Sequence, residues 1–180
     1  MPRLFHIKWL KFDNGERFPI LLKKADGMPL FLPTVYTIAI QRSSGKSSAT
    51  LGLNLRSIMY LYTWTYANGI DIEERFSVQD LLGIVEIENL VSTAGLTYEQ
   101  LCKDLEASPE TSQLGVKNGI YSMEKYRKSA HPQTPTVDNK TKLIRLLYIR
   151  DYLDWLAQEQ MPKISPQSRH SLNLEHLVCR

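Results

Sequence analysis

Residues 55–76 read "LRSIMYLYTWTYANGIDIEERF", and this stretch decides how the 180-residue chain folds. Leu51, Leu55, Ile58, Met59, Tyr62 and Tyr66 recur with the period of a helix, and Leu53, Tyr60 and Trp64 widen the stripe. The spacing predicts a helix of roughly 18 to 20 residues, buried on more than one side. Asn68 and Gly69 supply its stop, and the polar loop "QRSSGKSSAT" at residues 41–50 leads into it with capping side chains.

Further along, "IRLLYIRDYLDWLAQEQ" at residues 144–160 repeats the phrasing: an arginine, an apolar run, then tyrosine, leucine and tryptophan. Asp138 caps this second long helix, whose Leu143, Leu146, Leu147, Tyr152 or Leu153, and Leu156 are expected to face inward. It ends near Gln160, ahead of Pro162. Between the two, Ser77 caps a helical stretch broken near Gly83, and Thr97 with Gln100 opens another in the manner of a capping box. Residues 109–137 are rich in Pro, Gly, Ser, Thr and Lys and read as a long loop with a turn or two of helix in "IYSMEKYRKS".

The first forty residues differ in pattern. "FHIKWLKF" alternates apolar and polar, "DNG" at residues 13–15 is a hairpin turn, and "RFPILL" then "DGMPLFLPTVYTIAI" continue as short strands broken by Gly27, Pro29 and Pro33. This is too little sheet to stand alone, so the hairpin lies against a helical body or a neighbour. The expected organisation is an N-terminal hairpin segment over 1–40, a helical domain over 41–160, and a polar linker over 161–180 that stops as though cut. The fold class is therefore mainly α, a helical bundle with a short N-terminal β-hairpin or small sheet.

Composition excludes several classes. No run approaches the roughly 18 apolar residues of a membrane span, and the N-terminus lacks the features of a secretory signal, so a cytoplasmic protein with no membrane partner is expected. Cys102 and Cys179 are too few and too far apart for a disulfide framework or a zinc site. His6, His131, His170 and His176 have no carboxylate or histidine at ligand spacing, and "RSSGKSS" fails as a phosphate-binding loop because Ile40 stands where the first glycine is needed. No catalytic residue, metal, cofactor or small-molecule substrate is predicted.

A net charge of +3 conceals segregation. Residues 71–110 carry about −8, residues 117–150 about +6 and residues 1–70 about +6, so one face can meet phosphate while another repels it. The loop before the first long helix offers Arg42, Lys46 and Ser47 at a helix N-terminus, a set that suits phosphate and equally suits a plain cap with solvated bases. The other candidate phosphate-binding residues are Lys117, Lys125, Arg127 and Lys128 in the long loop, and Lys140, Lys142 and Arg145 at the start of the last helix. The aromatics at helical spacing belong to the core.

In the order "SSATLGLNLRSIMYLYTWTYANGIDIEERF", "LLGIVEIENLVS" and "RLLYIRDYLDWLAQ", residues 29–160 resemble the core-binding region of tyrosine recombinases, the phage-integrase family of site-specific DNA recombinases. Thr50, Leu55, Arg56, Ile58, Leu61, Tyr62, Trp64, Gly69, Ile70, Asp71, Glu73 and Phe76 carry the first phrase, and Arg145, Tyr152, Leu153, Trp155 and Leu156 the second. The resemblance implies a SAM-like bundle that forms one jaw of a clamp on double-stranded DNA, as a homo-oligomer on that DNA. The family's arginines, lysine, His-x-x-Arg box and nucleophilic tyrosine belong to a separate catalytic domain that nothing after Trp155 matches. A protein-interaction module that assembles recombinase subunits is the alternative.

Overall fold

The helix α2, Ser48–Ala67, is the axis of a computed structural model that describes residues 4–106 and 136–160. Ser47 caps it, its hydroxyl accepting the backbone N–H of Thr50 at 3.3 Å. At the other end Gly69 takes φ +65°, and its N–H and that of Ile70 donate to the carbonyls of Tyr66 (3.2 Å) and Thr65 (2.9 Å). A left-handed residue just past the helix is what lets those terminal carbonyls find donors, which is why the Asn-Gly pair stops the helix. Leu51, Leu55, Ile58, Tyr60, Leu61, Tyr62 and Trp64 are buried. Leu53 and Tyr66, expected to widen and extend the buried stripe, instead face solvent.

Four further helices surround this axis: α3 (Ile72–Ser77), α4 (Ile84–Thr93), α5 (Tyr98–Glu106) and the long α6 (Asn139–Gln160). Asp138 caps α6 as expected, accepting the N–H of Thr141 at 3.2 Å. Thr97 caps α5 through the N–H of Gln100 at 3.3 Å. Ser77, however, is the last residue of α3 and caps nothing. The helix starts lie at Asp71, whose carboxylate accepts the N–H groups of Glu73 and Glu74, and at Gly83, whose own N–H donates to Glu86 at 2.8 Å. A carboxylate reaching two orphan amides outcompetes a serine placed where a helix is ending. Along α6, Ile149, Tyr152 and Leu156 are buried, whereas Leu143 and Leu147, expected inside, are exposed.

Antiparallel strands β1 (Phe5–Lys11) and β2 (Arg17–Lys23) form the predicted hairpin. Residues 31–40, expected as strands, and Gln41 and Arg42, expected in the loop, are helical instead: α1 (Phe31–Tyr36) runs into a π turn over Thr37–Arg42. Pro33 stands at the third position of α1, where its missing N–H would have had no partner within the helix. The buried residues Leu32, Pro33, Tyr36, Thr37 and Gln41 follow helical and then wider π spacing, which overrides the β-branched local sequence. Both faces of β2 are thereby covered. Leu21 joins the helical core, while Leu30 donates its N–H to Leu21 and Pro29 pairs with Leu22 on the strand's second edge.

Hairpin and helices share one core. Phe5, Leu21, Tyr36, Leu55, Trp64, Tyr152 and Leu156 belong to a single cluster, so position 40 falls inside a helical turn and marks no boundary. The expected linker over 161–180 lies outside the described residues. Among the described residues no helix is long and apolar enough to cross a membrane.

Candidate nucleic-acid interface

The sequence-predicted bases fall in two places. At the turn before α2, Arg42 forms a two-pronged pair with Glu16, at 2.9 and 2.6 Å, and its guanidinium lies 5.7 and 5.8 Å from the ring centres of Phe12 and Phe18. Lys46 donates to Gln41 Oε1 at 2.6 Å, and Gln41 in turn donates to the buried hydroxyl of Tyr36 at 2.5 Å. Ser47 is the cap of α2. All three residues therefore build the approach to the helix, and Arg42 ties the hairpin to it. Ser47 makes the contact of a plain cap, whereas Arg42 and Lys46 are paired with Glu16 and Gln41.

The start of α6 differs. Lys140 is exposed, Lys142 is half-buried with its stem beside Gly95, and the first turn of this 22-residue helix contains no acidic residue. A helix N-terminus already carries positive partial charge, to which the two lysines add, against the capping carboxylate of Asp138. Beside them a cleft of about 190 Å³ is lined by Leu53, Arg56, Ser57, Met59 and Tyr60 of α2, Tyr98 of α5, and Thr141, Ile144 and Arg145 of α6. Arg56 is exposed on the rim. Its position in the helical repeat marks it as an outward residue, yet it was legible only as part of a motif until α6 was placed opposite.

Arg145 requires a correction. Expected to bind phosphate, it is turned inward: Nη1 donates to the carbonyls of Ala94 at 2.6 Å and Leu96 at 2.8 Å, and the guanidinium stacks 4.1 Å from the ring centre of Tyr60. The Tyr60 hydroxyl donates to the carbonyl of Thr93 at 2.5 Å. Arg145 and Tyr60 thus satisfy carbonyls at the C-terminal end of α4, where a cation is favourable, and lock α2, α4 and α6 together. Burial pulls the guanidinium pKa down from its ordinary value, opposed by Tyr60, and pushes the Tyr60 hydroxyl up despite Arg145.

Much of the acidity of residues 71–106 is structural. Asp71 is a cap, Glu73 accepts from the Tyr62 hydroxyl at 2.7 Å, and Asp80 and Glu86 enclose Arg75 at 2.9 and 2.7 Å. The hairpin adds bases that sequence reading did not single out. Lys11 and Arg17 sit directly opposite each other across the strands, both exposed. Like charges in that relation repel, so their placement costs stability.

Lys117, Lys125, Arg127 and Lys128 lie outside the described residues. The described chain resumes at Thr136, which bridges to Leu96, and the N–H of Val137 donates to Gly95 at 2.8 Å. No hydrogen bond or ion pair links the turn at 42–47 with the start of α6 among the described residues. Comparison with family profiles, with curated proteins and with solved structures finds no match for this chain.

Proposed function

We propose that this chain is a DNA-binding module of the tyrosine-recombinase type, holding duplex phosphates at the start of α6 and the facing surface of α2, and leaving strand cleavage to a catalytic domain elsewhere. The observation that carries this reading is that Lys140 and Lys142 stand at the start of α6 while the exposed Arg56 lines the cleft between α2 and α6. Phosphate contacts of this kind position a protein on the duplex without reading sequence, and their signature is dependence on salt. The paired aromatic helices named by the resemblance supply the rigid support, through Tyr60, Tyr62, Trp64, Tyr152 and Trp155. The cytoplasm is the compartment in which this reading places it.

The test is anisotropy of a labelled mixed-sequence duplex titrated with protein at several salt concentrations. The triple variant Arg56→Ala/Lys140→Ala/Lys142→Ala is expected to flatten the plot of log affinity against log salt by roughly 3 units, about 0.9 for each phosphate that the variant no longer neutralises. Unchanged affinity and slope would reject the interface. An exposed apolar face on α4 favours, in addition, a role in contacts with other protein chains.

A further inference from the structure

Six apolar side chains, Val78, Leu81, Ile84, Val85, Ile87 and Val91, stand exposed along α4 and the segment leading into it, Ile84 at 76%. Ile84, Ile87 and Val91 fall at i, i+3 and i+7, so they share one outward face, while Leu90 is the residue of the helix buried in the core. The charges bordering this ledge are negative: Asp80 and Glu88 are exposed, and the one nearby base, Arg75, is enclosed by Asp80 and Glu86. A contiguous apolar surface of this kind on a water-facing helix marks a docking site. Its border selects for an occupant that is apolar and basic.

The same chain carries that chemistry at the tip of the hairpin. Trp9, Lys11 and Arg17 lie on one face of the sheet, since Trp9 pairs with Pro19 and Lys11 with Arg17 in the strand register. Trp9 is 41% exposed even though its ring lies against Gly52, and no ion pair quenches Lys11 or Arg17 among the described residues. Trp and Arg are the residue types that most often anchor protein interfaces. The two surfaces are fixed to different parts of α2, the hairpin at Gly52 and α4 at Trp64, whose indole N–H donates to Asn89 at 2.9 Å. Those positions are about 18 Å apart along the helix, so the tip and ledge of one molecule do not meet.

We propose that the hairpin tip of one copy docks on the α4 ledge of a second copy. Because the two patches differ, the contact is head-to-tail, leaving one free tip and one free ledge on every pair. The opposing charges steer the approach and make it sensitive to salt. The like-charge pair Lys11 and Arg17, costly within the monomer, finds its counter-charges in Glu88 of the neighbour and in the net negative charge that Asp80 and Glu86 leave around Arg75. This inference does not depend on DNA binding.

Sedimentation velocity of the full chain without DNA tests it, with Lys11→Glu/Arg17→Glu disabling the tip and Ile87→Lys disabling the ledge. All three residues are exposed, so both variants keep the fold, and circular dichroism verifies that they do. The wild-type chain is expected to associate with rising concentration and less so at high salt, and each variant alone to be monomeric. An equimolar mixture of the two variants is expected to form a dimer that grows no further, because one intact tip meets one intact ledge. A wild-type chain that stays monomeric would overturn the proposal and leave the ledge to another protein. Variants that still self-associate, or a mixture that stays monomeric, would overturn it equally.

Discussion

The hydroxyls of Tyr62 and Tyr152 lie 2.8 Å apart in the buried centre of the molecule, joining residues 90 positions apart in the chain. Tyr62 also donates to Glu73 at 2.7 Å, and Tyr152 stacks edge-on against Tyr36. The two long aromatic phrases of the sequence are thus bolted together by a polar contact inside an apolar core. Tyr62 stands at its middle.

That order predicts unequal substitutions. Tyr152→Phe leaves Tyr62 bonded to Glu73 and is expected to cost about 1 kcal/mol, whereas Tyr62→Phe strands a buried hydroxyl and is expected to cost roughly 2 to 3 kcal/mol. Urea denaturation of the two variants and of the double variant checks this. The double variant should cost no more than Tyr62→Phe.

Alkaline pH should weaken the fold through the same side chains. Burial raises the pKa of Tyr60, Tyr62 and Tyr152 above the ordinary value of 10.0; at Tyr62 the neighbouring Tyr152 and Glu73 raise it further. Above pH 10 the folded state therefore holds more protons than the unfolded state, so stability that is present below pH 10 declines as pH rises. Urea midpoints measured on either side of that pH should fall, and fall less in Tyr62→Phe.

Gly52 and Trp9 make a second pair with opposed tendencies. A Cβ on residue 52 would lie 2.8 Å from the far edge of the Trp9 ring, which must then swing away from α2. Gly52→Ala is expected to shift tryptophan emission to the red. In a Trp9→Ala background the same substitution should stabilise the protein by about 1 kcal/mol, the helix propensity that glycine withholds. A double-mutant cycle read by urea denaturation would show the coupling.

Two helices end in the same way with different residues. Past α3, Gln79 takes φ 61° and its N–H donates to Phe76, while that of Asp80 donates to Arg75, the pattern that Gly69 supplies after α2. Glutamine meets a steric cost there that glycine avoids. Gln79→Gly should raise stability by about 1 kcal/mol, and Gly69→Gln should lower it by a similar amount, both read from urea midpoints.

Arg145 separates stability from DNA binding. Arg145→Ala removes two carbonyl bonds and a stacked cation, with an expected cost of roughly 2 to 4 kcal/mol. Arg145→Lys should recover only part of it, since an ammonium cannot both stack flat on Tyr60 and reach two carbonyls in the same way. Neither variant should change the salt slope of DNA affinity, which Lys140→Ala/Lys142→Ala should flatten.

The sequence disclosed what local chemistry controls. The stop at Asn68 and Gly69 was legible because few residues adopt a left-handed turn, and the cap at Asp138 because an acid before a long helical run has a specific partner. Residues 31–40 were not, because the β-branched run "TVYTIAI" favours a strand locally while burial of Tyr36, Thr37 and Gln41 against the helices decides the outcome. Arg145 was misplaced because an arginine normally faces water; only the end of α4, brought from 49 residues away, gives it carbonyls to hold. Arg56 and the start of α6 face each other for the same long-range reason.

The earliest and latest described parts of the chain meet in one core: Phe5 packs edge-on against Tyr62, which holds Tyr152 from the final helix. During synthesis the hairpin can therefore form its turn at once but cannot bury its apolar face until α2 has emerged, and the core cannot close until Leu156 has left the ribosome. Until then the apolar side chains of the hairpin are open to chaperones and to other nascent chains. Folding of this protein is completed only when its last helix joins the core that its first strand helps to form.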